Sequence, residues 1–249
     1  MNVLPSDPAA RAAVRQGVSV SVATGLYGIS FGALSVAAGV GLGPTMALSL
    51  LMFSGGSQFA LIGVIGAAGT PVAAIATAAL LGLRNTLYGA VVSPLLQVRG
   101  WRRLAAAHVT IDESTAVAVA QSEPAASRIG FWVTGVGVFV LWNVFVLLGA
   151  LAGDALGDPR AWGLDAAAAA AFLALVWPRL APRRAQLVAG LAVAATAALI
   201  PFVPPGIPVL AAAAVAIVVG LVAPSVPGAT AAGQPGNQTD HETDREPAR

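Results

Sequence analysis

Residues 16–83 read QGVSVSVATGLYGISFGALSVAAGVGLGPTMALSLLMFSGGSQFALIGVIGAAGTPVAAIATAALLGL, without one Asp, Glu, Lys or Arg. At roughly 20 residues per crossing, this is room for about three membrane spans. Gly41-Leu42-Gly43-Pro44 and Gly69-Thr70-Pro71 are turn-forming breaks. They predict spans near 18–40, 45–68 and 72–97.

The rest of the chain agrees. Of 249 residues, 57% are hydrophobic and 10% are charged, against about 25% charged in an ordinary soluble domain. Mean hydropathy is +0.81. So few charges cannot cover a soluble core of this size. That excludes a soluble enzyme, a disordered chain and a coiled coil, and leaves an all-α polytopic bundle. There is no cysteine, so disulfide and thiol chemistry are absent. Two histidines and three methionines predict neither a metal nor another cofactor. The pI near 9.9 rests on a net charge of only +2, which does not argue for nucleic acid. All 13 basic residues are arginine, in short clusters at segment ends, as membrane topology demands.

Downstream, Arg99 to Arg103 is a basic, Trp-containing membrane edge. Residues 104–121 are too polar to face lipid and predict an amphipathic surface helix or a buried half-helix. Further spans are expected over 129–153, 161–178, 185–203 and 207–222, with an acidic loop at 154–160 and a basic one at 179–184. The total is about seven, within six to eight, allowing for broken or re-entrant helices. Residues 1–16 form a polar N-terminal segment, 17–224 a transmembrane domain and 225–249 a disordered polar tail. The first apolar run is too long for a signal peptide and is expected to stay as an anchor. The positive-inside rule places the basic loops and the tail in the cytoplasm of a bacterial cell, at its inner membrane. Simple alternation then sends the N-terminus outside, against Arg11 and Arg15, unless an early segment is re-entrant. No inverted repeat stands out from composition.

Four clusters are able to carry chemistry. Gly28-Ile29-Ser30-Phe31-Gly32 has small residues four apart, which suits close helix packing. Phe53-Ser54-Gly55-Gly56-Ser57-Gln58-Phe59 sits mid-span. Each Gly there costs about 1 kcal/mol against Ala in a helix, and Gln58 at membrane depth needs a partner. An unwound segment at these residues would free backbone groups to hold a zwitterion. The alternative is that Ser54 and Gln58 bond a neighbouring helix. Arg84 lies at the centre of the third span, where an arginine costs about 2.5–3.5 kcal/mol to insert. It is expected to face the bundle interior, with Asn85 next to it and Tyr88 one turn on. His108, Asp112 and Thr115 share one helix face if the helix is continuous, with Glu113 beside them. A His–Asp pair at depth relays protons; on a solvated helix these are ordinary charges. Asn143 is expected to bond across helices. No nucleophile elbow, zinc motif or P-loop is present, so no enzyme is read.

These stretches resemble the AzlC family, the large subunit of two-component branched-chain amino acid permeases. The resemblance runs from about Arg15 to about Val222. It is carried by Gly28–Gly32, Phe53–Phe59, Leu83-Arg84 with Tyr88-Gly89 and Ser93-Pro94, and Asp112-Glu113-Ser114. The chain departs from the family at Gly82 (usually Asn), at Asn85 (usually His) and at Ser57 (often Ala). The resemblance implies secondary transport of leucine, isoleucine and valine, with methionine as a further candidate solute, most often as export, with a small AzlD-like membrane partner. On it, Gly55, Gly56, Ser57 and Gln58 are expected to contact the solute backbone. Arg84, with Asn85 and Tyr88 near it, would hold a carboxylate or a structural acid. His108, Asp112 and Glu113 are the candidate ion-coupling groups. The rival expectations are transport of another small amino acid or organic acid, and a non-transporting scaffold subunit.

Overall fold

The computed structural model describes residues 7–156 and 176–222, with a few positions between them. The expected tail at 225–249 and most of the expected span at 161–178 lie outside the described residues. Among the described residues every regular element is helical. In order these are α1 (Pro8–Ala37), α2 (Leu42–Leu51), α3 (Gly55–Gly66), α4 (Pro71–Leu96), α5 (Trp101–His108), α6 (Asp112–Val119), α7 (Pro124–Leu156), α8 (Arg183–Leu199) and α9 (Ile207–Val222). Among the described residues only α1, α4 and α7 are both long and apolar enough to cross a bilayer. α4, with 26 residues, is about 39 Å long at 1.5 Å per residue, against about 30 Å of hydrocarbon.

The chain starts its first span at Asp7, whose carboxylate accepts the Ala9 N–H at 3.0 Å, with Pro8 in the first turn. α1 packs along α7, and the two run parallel. Gly17 meets Thr134, Gly25 meets Leu141 and Gly28 meets the Trp142 carbonyl. A Cβ on Gly32 would collide with the Val146 carbonyl, and one on Gly149 with the Ile29 backbone. The Gly28–Gly32 cluster is thus a packing seam, as its spacing suggested.

The expected span at 45–68 is a re-entrant hairpin. α2 leaves the far end of α1, where Ser35 and Thr45 share a 2.7 Å hydrogen bond. The helix stops at Met52 and resumes at Gly55. α3 then returns to the face it came from, so that Gly66 packs on Ala38 and Val64 on Ala73 at the start of α4. α5 and α6 repeat the device from the other face. α5 starts beside the Arg99–Arg103 patch and ends against Gly135 of α7, where Val109 packs. α6 leads back until Gln121 donates to the Gln16 side chain at 2.9 Å. The polar stretch 104–121 is therefore a pair of half-helices.

The α2–α3 hairpin followed by α4 and the α5–α6 hairpin followed by α7 have inverted topology. This repeat was invisible in the sequence. It also settles the N-terminal conflict. Because α2–α3 does not cross, α1 starts on the face where α4 ends. Arg128 at the start of α7 donates to the Leu95 carbonyl of α4 at 2.9 Å. Arg11, Arg15, Arg99, Arg102, Arg103 and Arg128 share one arginine face. The α8–α9 turn at Pro205-Gly206 packs against Gly69 and Ala73 on the opposite face. Arg184 reaches the Val219 carbonyl, so the start of α8 and the end of α9 lie together. α7 runs to Leu156, so Asp154, expected in a loop, is still helical. Leu83, Leu87 and Val72 of α4 and Val140 and Leu151 of α7 are exposed, as lipid-facing positions are.

Two tests follow from the seam and the hairpins. Gly32→Ala should lower the thermal unfolding midpoint in detergent by an amount matching about 1–3 kcal/mol of overpacking; Gly43→Ala, with open space around it, should leave it unchanged. In this cysteine-free chain, Leu42→Cys and Ala67→Cys should react with a membrane-impermeant thiol reagent from the same side, and Ser122→Cys from the other. A crossing α2–α3 would instead separate Leu42 from Ala67.

Candidate functional site

Both breaks fall where helix propensity is weakest. Ser54-Gly55-Gly56 is poor helix-forming sequence, and Val109-Thr110-Ile111 is a β-branched run. Each break strands carbonyl groups at membrane depth, where no water serves them. A polar side chain from the following half-helix reaches back in both cases. Gln58 Nε2 donates at 3.0 Å to the Leu48 carbonyl, which also accepts the Met52 N–H. Ser114 Oγ donates to the Val109 carbonyl at 2.8 Å and accepts the Ile111 N–H at 3.1 Å. Gln58 thus finds its partner within its own hairpin, and Ser54 pairs with Ser57 at 3.1 Å rather than with a neighbouring helix.

The unwound residues are Met52 to Ser54, and the two glycines open α3 instead of lying in the break. α3 has no side-chain cap, and Gln58 is the first residue whose N–H bonds within the turn, to the Ser54 carbonyl at 3.0 Å. The N–H groups of Gly55, Gly56 and Ser57 therefore point out of the helix end, at the positive pole of its dipole.

α6 begins with Asp112 and Glu113, acids in the first turn where the dipole favours them. Arg84 Nη2 lies 3.6 Å from Asp112 Oδ1 across the α4–α6 contact. The arginine side chain is 29% exposed and the aspartate 8%. The mid-span arginine has thus found a structural acid from the other hairpin, and Glu113 is the acid outside that ion pair.

These groups line one cavity of about 430 Å³ between α1, α3, α4, α6 and α7. Gly55, Gly56, Arg84, Asp112 and Glu113 lie on its wall, as do Phe53, Phe59 and Trp142. Val20 and Ala23 of α1, Ala116 and Val117 of α6, and Val138 of α7 form an apolar wall that leads toward the arginine face, where Gln16 stands. On the opposite side Phe31, Phe59 and Trp142 close together. Phe31 stacks on Trp142 at 6.1 Å, and Phe59 meets the two edge-on at 5.7 and 6.2 Å.

Ser57 and Gln58 are buried beside the cavity but do not line it, and neither do Asn85 and Tyr88, half-buried on α4. His108 and Asp112 do not share a helix face, because α5 ends at His108 and α6 begins at Asp112. His108 packs on Phe53 at 6.0 Å and on Phe139 at 5.3 Å instead. Asn143 donates to the Phe139 carbonyl of its own helix at 2.8 Å, not across helices.

Sequence reasoning missed Tyr27 and Trp142 on the cavity wall. A signal existed for the second. An indole N–H at mid-span needs an acceptor. Trp142 is 4% exposed, and its Nε1 has no hydrogen-bond partner among the described residues. Among those residues no His, Asp and Glu cluster has the makings of a metal site.

A family model described as AzlC protein matches residues 19–156, more than half of the chain. The match covers both hairpins, α4, α7 and α1 from residue 19 onward. Neither the curated proteins nor the solved structures hold a match to the chain.

The ion pair has a direct test. Arg84→Ala should leave α6 with a buried, unpaired carboxylate and reduce the thermal midpoint; the double variant Arg84→Ala/Asp112→Ala should recover most of that loss. Equal and additive losses would mean that the two charges do not depend on each other.

Proposed function

The chain belongs to the AzlC family, and from that membership we propose that it is the transport subunit of a secondary carrier for branched-chain amino acids. The family makes it a transport-related membrane protein. The finer reading is that it exports leucine, isoleucine, valine and methionine across a bacterial inner membrane, together with a small AzlD-like subunit. The observation that carries this reading is the cavity. It has a donor-rich corner at the start of α3, an acid at Glu113 and a wall of Val and Ala side chains. A zwitterion with an aliphatic side chain matches all three.

The arrangement also suits a carrier. Two re-entrant hairpins enter from opposite faces and meet at mid-depth, which is where inverted-repeat transporters hold their solute. The cavity leads to the arginine face and is closed by Phe31, Phe59 and Trp142 on the other. The positive-inside rule makes the arginine face cytoplasmic. Solute would then load from the cytoplasm, as export requires, and the tail after α9 would leave on the cytoplasmic side. Coupling to the proton gradient would run through Glu113, since Asp112 is engaged with Arg84. α4 supports a partner subunit. It carries Arg84, yet only 17% of its most apolar stretch is buried, against 44% in α1 and 39% in α7. We read no enzyme here.

A second reading, a carrier of another small amino acid or organic acid, starts from the departures at Gly82 and Asn85, although neither residue lines the cavity. Efflux of preloaded leucine, isoleucine, valine and methionine from transporter-deficient cells separates the two. Saturable efflux is expected with the chain and its small partner together, and its loss is expected in Arg84→Ala with the protein still in the membrane. Full transport by that variant, or no efflux of any of the four with both subunits present, overturns the branched-chain reading.

A further inference from the structure

We propose that the Glu113 carboxylate holds one cation at a time, a proton or the ammonium group of a solute, so that solute and proton displace each other from the cavity. The inference rests on the transport reading above and adds a rule of exchange to it. It starts from the charges on the cavity wall. Among the described residues, three charged side chains line the cavity, Arg84 from α4 and Asp112 and Glu113 from α6. Arg84 is engaged with Asp112 at 3.6 Å. Glu113 therefore brings a negative charge without a cation of its own. The other walls supply none. The titratable group that α1 adds is the Tyr27 phenol, and α3 and α7 add none. His108 of α5 packs on Phe53 and Phe139 and does not line the cavity. The carboxylate is also within reach of a ligand. Glu113 is partly buried, yet neither of its oxygens is sealed in the protein, and the residue lies on the cavity wall.

A carboxylate without a partner at membrane depth is unfavourable. A proton relieves it by removing the charge, and an ammonium by pairing with it. The two exclude each other, because a protonated carboxyl has no charge to offer an ammonium. Loading is then an exchange. As the ammonium arrives, the carboxyl O–H bond breaks, the electron pair stays on the oxygen and the proton leaves to water through the mouth of the cavity. No covalent bond to the solute forms. Unloading on the other face is the reverse, with a proton taken up there. The empty, unprotonated carrier is its least stable form, so the cavity changes sides with a proton or a solute aboard. One solute moving outward is thereby matched by one proton moving inward.

The test uses the full chain in lipid nanodiscs. Leucine binding is measured by calorimetry in buffers of different ionisation enthalpy, which counts the protons released per leucine. The pH is scanned from about 4 to 9, which spans ordinary and strongly perturbed carboxyls. The count should approach one at the acid end and zero at the alkaline end. Where it is one, leucine affinity should fall about tenfold for each unit of pH lost. 3-Methylbutylamine (no carboxylate) should release protons as leucine does, and 4-methylpentanoate (no ammonium) should release none, a comparison that needs no variant. Glu113→Gln keeps the shape and removes the titration. It should weaken leucine about tenfold at neutral pH, the scale of one interaction with a charged group, and abolish both proton release and pH dependence. Leucine that binds without proton release at any pH, equal release by 4-methylpentanoate, or release that survives in Glu113→Gln overturns the exchange and leaves the carrier reading standing. If alanine binds with proton release and leucine does not bind, the exchange stands and the branched-chain reading falls. Binding of neither amino acid nor the amine overturns both.

Discussion

The structure depends on one constraint, that a backbone polar group inside a bilayer must find a partner within the protein. An unbroken helix meets it by itself. This chain breaks two helices at mid-depth, and each break creates the same problem, carbonyls at the end of one half-helix and N–H groups at the start of the next. Ser114 reaches back to the Val109 carbonyl, and Gln58 adds a second donor to the Leu48 carbonyl, which already accepts the Met52 N–H. The N–H groups of Gly55, Gly56 and Ser57 at the start of α3 are left uncapped, and the two glycines line the cavity.

The two half-helix starts are not equivalent, and this difference gives the cavity its polarity. α6 carries Asp112 and Glu113 in its first turn, so its dipole is already answered by its own acids. α3 carries Gly55, Gly56 and Ser57, and its positive end is unanswered. Arg84 stands on α4 between them and is held to the acidic side by Asp112. One hairpin thus presents donors and the other acceptors. The α1–α7 seam holds this arrangement at fixed depth. Its glycines let the two parallel spans approach until backbone meets backbone, which fixes Trp142 against Gly55 and Phe31.

Much of the site was legible as a list of residues before it was legible as a place. Arg84 stood out because a charge at span centre has few explanations. Gly55-Gly56 stood out because two glycines in a helix are unfavourable without a purpose. Asp112 and Glu113 stood out by charge, yet the helical spacing that joined them to His108 was misleading, because Val109-Thr110-Ile111 interrupts the helix. Tyr27 carried no charge and broke no pattern, and Trp142 offered only its indole N–H as a signal within an apolar run.

The sequence by itself determined the class of the fold, the uncharged membrane stretches, the weak points at which helices break and the arginine that must face inward. These follow from transfer free energies and local propensity, which are sums over neighbours in the chain. Hydropathy alone did not separate a helix that crosses from a hairpin that returns, since residues 45–68 have the composition of either. Only the tertiary structure decided that both broken segments turn back, that they do so from opposite faces, and that Arg84 pairs with Asp112 instead of standing alone. The reason is physical. The direction of a half-helix after its break is chosen by what its end packs against, and those contacts, Gly66 on Ala38 and Gln121 on Gln16, join residues far apart in sequence.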